Sequence, residues 1–158
     1  MIHPLVARIG RTRAFTVLAP HVLPRLDRAG HVLTRGRWVP SRLLLPTVML
    51  TTTGHRTGLS RHTPLCADHH DDGSWLVAAT NFGRPHHPAW STNLLRYPHA
   101  TITVGGRAHP VSAALLTPEQ QARQRPRILR ILPIYDQYAA RAARDIRVFR
   151  LTPIEHDR

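Results

Sequence analysis

The chain has 158 residues, 42% of them hydrophobic, which suits one domain built on one core. All 22 basic residues are arginine against nine acids, for a net charge of +13, so Schiff-base and phosphate-clamping lysines are excluded and anions fall to guanidinium forks and backbone N–H groups. A single cysteine, Cys66, excludes an internal disulfide, and no run of about 18 apolar residues is there to span a membrane.

The apolar piece at residues 14–19 is too short for a signal-peptide core, so a reducing cytoplasm is expected. Residues 1–42 hold eight arginines and one acid, Asp27. Residues 2–18 read as a helix, with Ile2, Leu5, Val6 and Ile9 on one face and Arg8 and Arg11 off it. Such a basic amphipathic segment suits the inner face of an anionic membrane, or packs on its own domain. A second helix is predicted over 24–34, ended by Gly36. Residues 1–34 are therefore expected to form a basic helical segment, and 35–158 the body of a single domain.

From residue 47 the pattern turns to β. Residues 47–53 are rich in β-branched side chains, and 60–68 form a second strand whose Pro64 marks an edge or a bulge. Residues 74–80 (SWLVAAT) are apolar on both faces and read as a buried central strand behind the turn HHDDGS. A short helix is predicted over 88–97, with proline in its first turn. Trp90, Leu94 and Tyr97 form its packing stripe, while Ala89, Asn93 and Arg96 lie on another face. Strands at 100–104 and 108–116 flank Gly105-Gly106, a hairpin signal. Thr117 with Gln120 resembles a capping box, and Pro126 is expected to break or kink the helix that follows. Another helix begins at Pro133, carrying Tyr135 and Tyr138, and a last strand covers 146–151. Six strands with short connections favour antiparallel pairing, hence a small barrel with helical additions.

Two segments can carry chemistry. In LTTTGHRTGLSRHTPL (50–65), Gly54 and Gly58 free the backbone to turn N–H groups toward one point, His55 and Arg56 project from the tip, and Arg61 follows on the next strand. With the hydroxyls of Thr53, Thr57 and Thr63 this makes a phosphate or carboxylate cradle, or an ordinary Thr/Gly hairpin with solvated arginines. At the exit of the central strand, Ala79-Thr80-Asn81-Phe82-Gly83 leads to a helix start near Pro88, a second anion-facing rim or a plain connecting loop. No HExxH or zinc spacing occurs among the twelve histidines, so no metal is expected. No GxSxG is present, and Cys66 reads as a small buried residue. A chain this poor in reactive groups of its own favours a borrowed reagent, a cofactor. Without a basic tract or an aromatic platform, no nucleic-acid partner is expected.

The hairpin segment, together with HPAWSTNL (87–94) and PIYDQYAARAARDI (133–146), resembles the deazaflavin-dependent nitroreductases of actinobacteria, over residues 35–154. The resemblance implies an α+β, mainly β fold: a six-stranded antiparallel split β-barrel with flanking helices. It implies coenzyme F420, a deazaflavin with a phosphodiester and an oligoglutamate tail. His55, Arg56, Thr57, Gly58 and Arg61 would then serve phosphate and tail, with Thr63 and Pro64 along the ligand. Ala79, Thr80, Asn81, Phe82 and Gly83 would line the ring and ribityl region, and Ala89, Trp90 and Asn93 would close the site. Tyr135 and Tyr138 would wall an acceptor pocket, one of them donating a proton. The family usually has arginine where this chain has His55, and the classical nitroreductase has lysine-glycine at Asn81-Phe82. FMN is the competing cofactor, but its short monophosphate needs fewer cations. The implied activity is an F420H2-dependent reductase passing hydride to a quinone, enone or nitroaromatic. Two alternatives are a non-catalytic F420 carrier and a basic adaptor on membrane or nucleic acid.

Overall fold

The computed structural model describes residues 47–154. The expectations for the helices at 2–18 and 24–34, for a membrane contact there and for a boundary at residue 34 lie outside them. Among the described residues no helix is long and apolar enough to cross a membrane.

Six strands appear in chain order: β1 (Thr47–Thr53), β2 (Ser60–His69), β3 (Trp75–Ala78), β4 (His99–Val104), β5 (Arg107–Leu115) and β6 (Val148–Pro153). Helix α1 (Ala89–Arg96) lies between β3 and β4; α2 (Pro118–Ile131) and α3 (Tyr135–Ala142) lie between β5 and β6. The strands close into a barrel in the order β1-β2-β3-β6-β5-β4, every pair antiparallel. The expected six-stranded split-barrel class is the one observed.

Alternation explains the core. Val48 and Leu50, Trp75 and Val77, Ile102, Val111, Phe149 and Leu151 share the barrel interior, roofed by Trp90 and Leu94 of α1. Leu76 and Val148 point the other way, into a second cluster with Ile128, Tyr135, Ala142 and Ile146 under α2 and α3. Strand β3 is thus covered on both faces, which is why residues 74–80 show no polar alternation. Phe149 is fully enclosed, and its truncation to alanine would cost about 3–5 kcal/mol.

Pro64 sits opposite Met49 in the part of β2 that pairs only with β1; β2 meets β3 at residues 67–69 alone. That stretch of β2 has no strand on its other side, which is where a residue without an N–H is tolerated. Gly105 and Gly106 turn the β4–β5 hairpin at φ of 57° and 83°. The capping box is present: Gln120 N–H donates to Thr117 Oγ1 (3.3 Å) and Thr117 N–H to Gln120 Oε1 (2.8 Å).

Several boundaries differ from the sequence reading. β3 stops at Ala78, because Asn81, Phe82 and Gly83 all take positive φ (48°, 57° and 73°) and turn the chain. Tyr97 is the C-cap of α1 and exposed, so the packing stripe ends at Leu94. Asn93, expected on a presented face, is 2% exposed. Pro126 does not break α2: it lies on the solvent side, with Ala122 also exposed, where the carbonyl that loses its donor can be hydrated. Cys66 is half-buried rather than buried.

Candidate functional site

The β1–β2 hairpin tip is a tight loop, with Gly54 N–H donating to the Leu59 carbonyl (2.8 Å) and Gly58 N–H to the Gly54 carbonyl (2.8 Å). A Cβ at Gly54 would stand 3.0 Å from Thr57 Oγ1 and 3.1 Å from the Leu59 carbonyl oxygen, so only glycine lets the loop fold on itself. Gly58 takes φ of +69° and turns the chain back. Thr57 Oγ1 accepts from Arg61 Nη2 (3.3 Å), tying the tip to the second strand.

The tip leans over the mouth of the barrel that α1 roofs. Between them lies a cavity of about 520 Å³. Hairpin residues His55, Arg56, Thr57, Arg61 and Thr63 line one side, and Ala89, Trp90 and Asn93 of α1 the other. Met49, Ser60 and His62 complete the wall. None of the lining side chains is a carboxylate. Among the described residues neither Arg56 nor Arg61 forms an ion pair.

A buried polar chain runs beneath the cavity. Asn93 Nδ2 donates to Thr52 Oγ1 (2.9 Å), inside the barrel end. Asn93 Oδ1 accepts from the His55 backbone N–H (2.9 Å) and from His55 Nδ1 (2.7 Å). An amide oxygen only accepts, so His55 carries its proton on Nδ1 and leaves Nε2 for other partners. Asn93 therefore acts by holding His55, its Oδ1 accepting both bonds from that residue and one of its amide N–H groups bonded to Thr52.

The other sequence candidates fall elsewhere. Gly58 shapes the tip and Pro64 continues β2 away from it. Ala79 to Gly83 form the exit from β3; Ala79 sits in the barrel core, while Asn81 to Gly83 pack on α3, Phe82 meeting Tyr138 edge-on with ring centroids 6.3 Å apart. Gly83 is wedged there: a Cβ would come within 3.2 Å of the Tyr138 carbonyl oxygen and both Cβ and Cδ of Arg141. Tyr135 and Tyr138 are buried in the helical layer, and burial pushes both phenols up, so their protons are firmly held. Neither tyrosine lines the cavity.

Sequence reasoning missed Thr52, Arg144 and Arg147. Thr52 had a signal: alternation puts it with Leu50 on the inward face, where a polar group needs a partner. The two arginines had none, since their partners are about sixty residues away. Among the described residues no three His, Cys, Asp or Glu side chains gather as metal ligands would.

Residues 28–153 match the model of a family described as F420H(2)-dependent quinone reductase. An F420H(2)-dependent quinone reductase of Mycobacterium tuberculosis H37Rv is 31% identical over 115 residues, covering 68% of this chain and 73% of that one. A putative F420H(2)-dependent quinone reductase of Mycobacterium bovis matches equally. Among solved structures, the F420-H2 dependent reductase FDR-A superposes with a TM-score of 0.60 at 29% identity, covering 67% of this chain and 93% of that one. A second, described as a domain-swapped dimer, gives 0.63 at 28% identity over 79% and 94%.

Proposed function

Because the chain belongs to the F420H(2)-dependent quinone reductase family, an oxidoreductase family whose cofactor is coenzyme F420, we propose that the hairpin cavity is where it holds that cofactor. The observation that carries this reading is the donor set: two guanidiniums free of ion pairs among the described residues, and threonine hydroxyls, around a cavity whose lining has no carboxylate. This set fits a polyanionic arm and would repel a cation. Arg56 and Arg61 hold its phosphate and carboxylates by charge-assisted hydrogen bonds, the strong class. Thr57 fixes Arg61, so one donor stands oriented before any ligand arrives, and Asn93 fixes the His55 ring beside it. Trp90 and Ala89 supply the apolar wall.

When bound, the reduced deazaflavin supplies a hydride. We assign the acceptor to an electron-poor organic molecule, a quinone first, with enones and nitroaromatics within the same class. Quinone reduction also consumes a proton. Tyr138, in edge contact with Phe82 of the β3 exit, is the phenol assigned to wall the acceptor side; burial holds its own proton, so solvent supplies the one consumed. Tyr135, farther into the helical cluster, is assigned to packing.

The test is direct. The full-length protein is expected to bind coenzyme F420 at micromolar concentration, measured by calorimetry, and to oxidise F420H2 with menadione, followed by the deazaflavin absorbance. Absence of binding overturns the reading; binding without turnover on a panel of quinones and nitroaromatics makes the chain a carrier.

A further inference from the structure

Arg144, just past α3, turns every nitrogen of its guanidinium to the segment that leads into α1, with one further bond to its neighbour Asp145. Nε donates to the Arg84 carbonyl (3.2 Å), and Nη2 to the carbonyls of Ala79 and Thr80 (3.2 Å each). Nη1 donates to the Asp145 carbonyl (3.2 Å) and to His87 Nδ1 (3.1 Å). No carboxylate is among these acceptors. Arg147 holds the far end: Nη1 donates to Ser91 Oγ (3.4 Å) and Thr92 Oγ1 (3.3 Å), and its carbonyl accepts from Ala79 N–H (2.8 Å). Between these anchors run Asn81, Phe82 and Gly83 in left-handed conformation, and after them Ala89, Trp90 and Asn93 of the cavity wall. Two non-glycine residues at positive φ are strained and persist only under outside restraint.

A guanidinium cannot accept a hydrogen bond, so His87 Nδ1 must present its lone pair to Arg144. A protonated imidazole would turn an N–H and a positive charge against it. We propose that Arg144 is a positioning residue for the reaction and that neutral His87 completes its grip, so that the 79–92 segment, and the cavity wall it carries, loosens on acidification. This rests on the functional reading above.

The charges facing His87 agree. Burial, then Arg147 and Arg144, hold its imidazole below the ordinary range, and Asp145 opposes them. A histidine depressed in the fold contributes stability that is complete above its ordinary value of 6.5 and is lost as pH falls from there.

Coenzyme F420 is titrated into the full-length wild type, His87→Gln and Arg144→Lys by fluorescence quenching at about pH 7.5 and about pH 5.5. Amide-exchange protection over residues 79–92 is measured without cofactor. Wild-type affinity is expected to fall about fivefold on acidification and protection to fall with it. His87→Gln offers an amide oxygen at every pH, so its affinity should change less than twofold. Arg144→Lys, with fewer donors, should bind about tenfold more weakly at both pH values and lose protection over 79–92 but not in the strands. The proposal is overturned if His87→Gln keeps the wild-type pH profile, or if Arg144→Lys alters neither affinity nor protection. Should Arg144→Lys fail to fold, the His87→Gln profile decides. If the wild type binds no F420 while acid still loosens 79–92 through His87, the functional reading falls and the latch stands.

Discussion

The barrel has a cavity at each end, and the larger is not the candidate site. At the end opposite the hairpin, a space of about 640 Å³ is lined by Trp75, His69, His109 and Arg107. The imidazoles flank the indole at 4.8 Å and 5.4 Å between centroids, and among the described residues no hydrogen bond fixes either ring. At the hairpin end the space is about 520 Å³, but His55 is held by two bonds to Asn93, which is itself anchored on Thr52 inside the barrel. Both ends offer histidine, arginine and an apolar floor. Only one offers a side chain oriented in advance by a buried polar chain, and fixed groups bind at a lower ordering cost than floppy ones.

Replacing both Arg56 and Arg61 with alanine should have the largest effect. Losing two charge-assisted contacts predicts roughly a 100-fold or greater loss of F420 affinity by calorimetry, with no change in thermal unfolding. An unchanged affinity would erase the distinction between the two ends. Next, Asn93→Ala should cost about 2–4 kcal/mol of stability by denaturant unfolding, since Thr52 and the His55 N–H lose their buried partner. It should also weaken cofactor binding, which loss of packing alone would not require.

At the other end the polar groups serve folding. Asp72 caps the β2–β3 turn through Ser74 N–H (2.9 Å) and Oγ (2.6 Å) and pairs with Arg150. The Ser74 hydrogen bonds, more than Arg150, hold its carboxyl far below the ordinary carboxylate range. Such a group contributes stability above its ordinary value of 3.8 that is lost as pH falls below it. Asp72→Asn should therefore lower the melting temperature at neutral pH, and the difference from wild type should shrink on acidification, with F420 affinity untouched. The smallest effect belongs to His69→Ala combined with His109→Ala: affinity within about twofold of wild type, because stacking on Trp75 orients neither ring toward a ligand. A large loss there would make the second cavity part of the site.

Much of this was legible in the chain. The glycine turns at Gly54 and Gly58 and at Gly105-Gly106, the capping box at Thr117 and the edge proline at Pro64 each depend on a few neighbouring residues, so they could be read in place. Asn93 was expected on a presented face and is buried, because helical spacing shows which positions share a face but not what covers it. Left-handed Asn81 and Phe82 were invisible, since neither residue demands positive φ.

By itself the sequence determined the strands, the turns and a surplus of guanidinium at one bend, because period-two patterning, glycine and charge act within a few residues. Closure of the barrel decided the rest. His55 meets Asn93 across 38 positions, and Arg144 meets Ala79 across 65. Contacts of that span are set by which faces pack together, and no local preference carries that information.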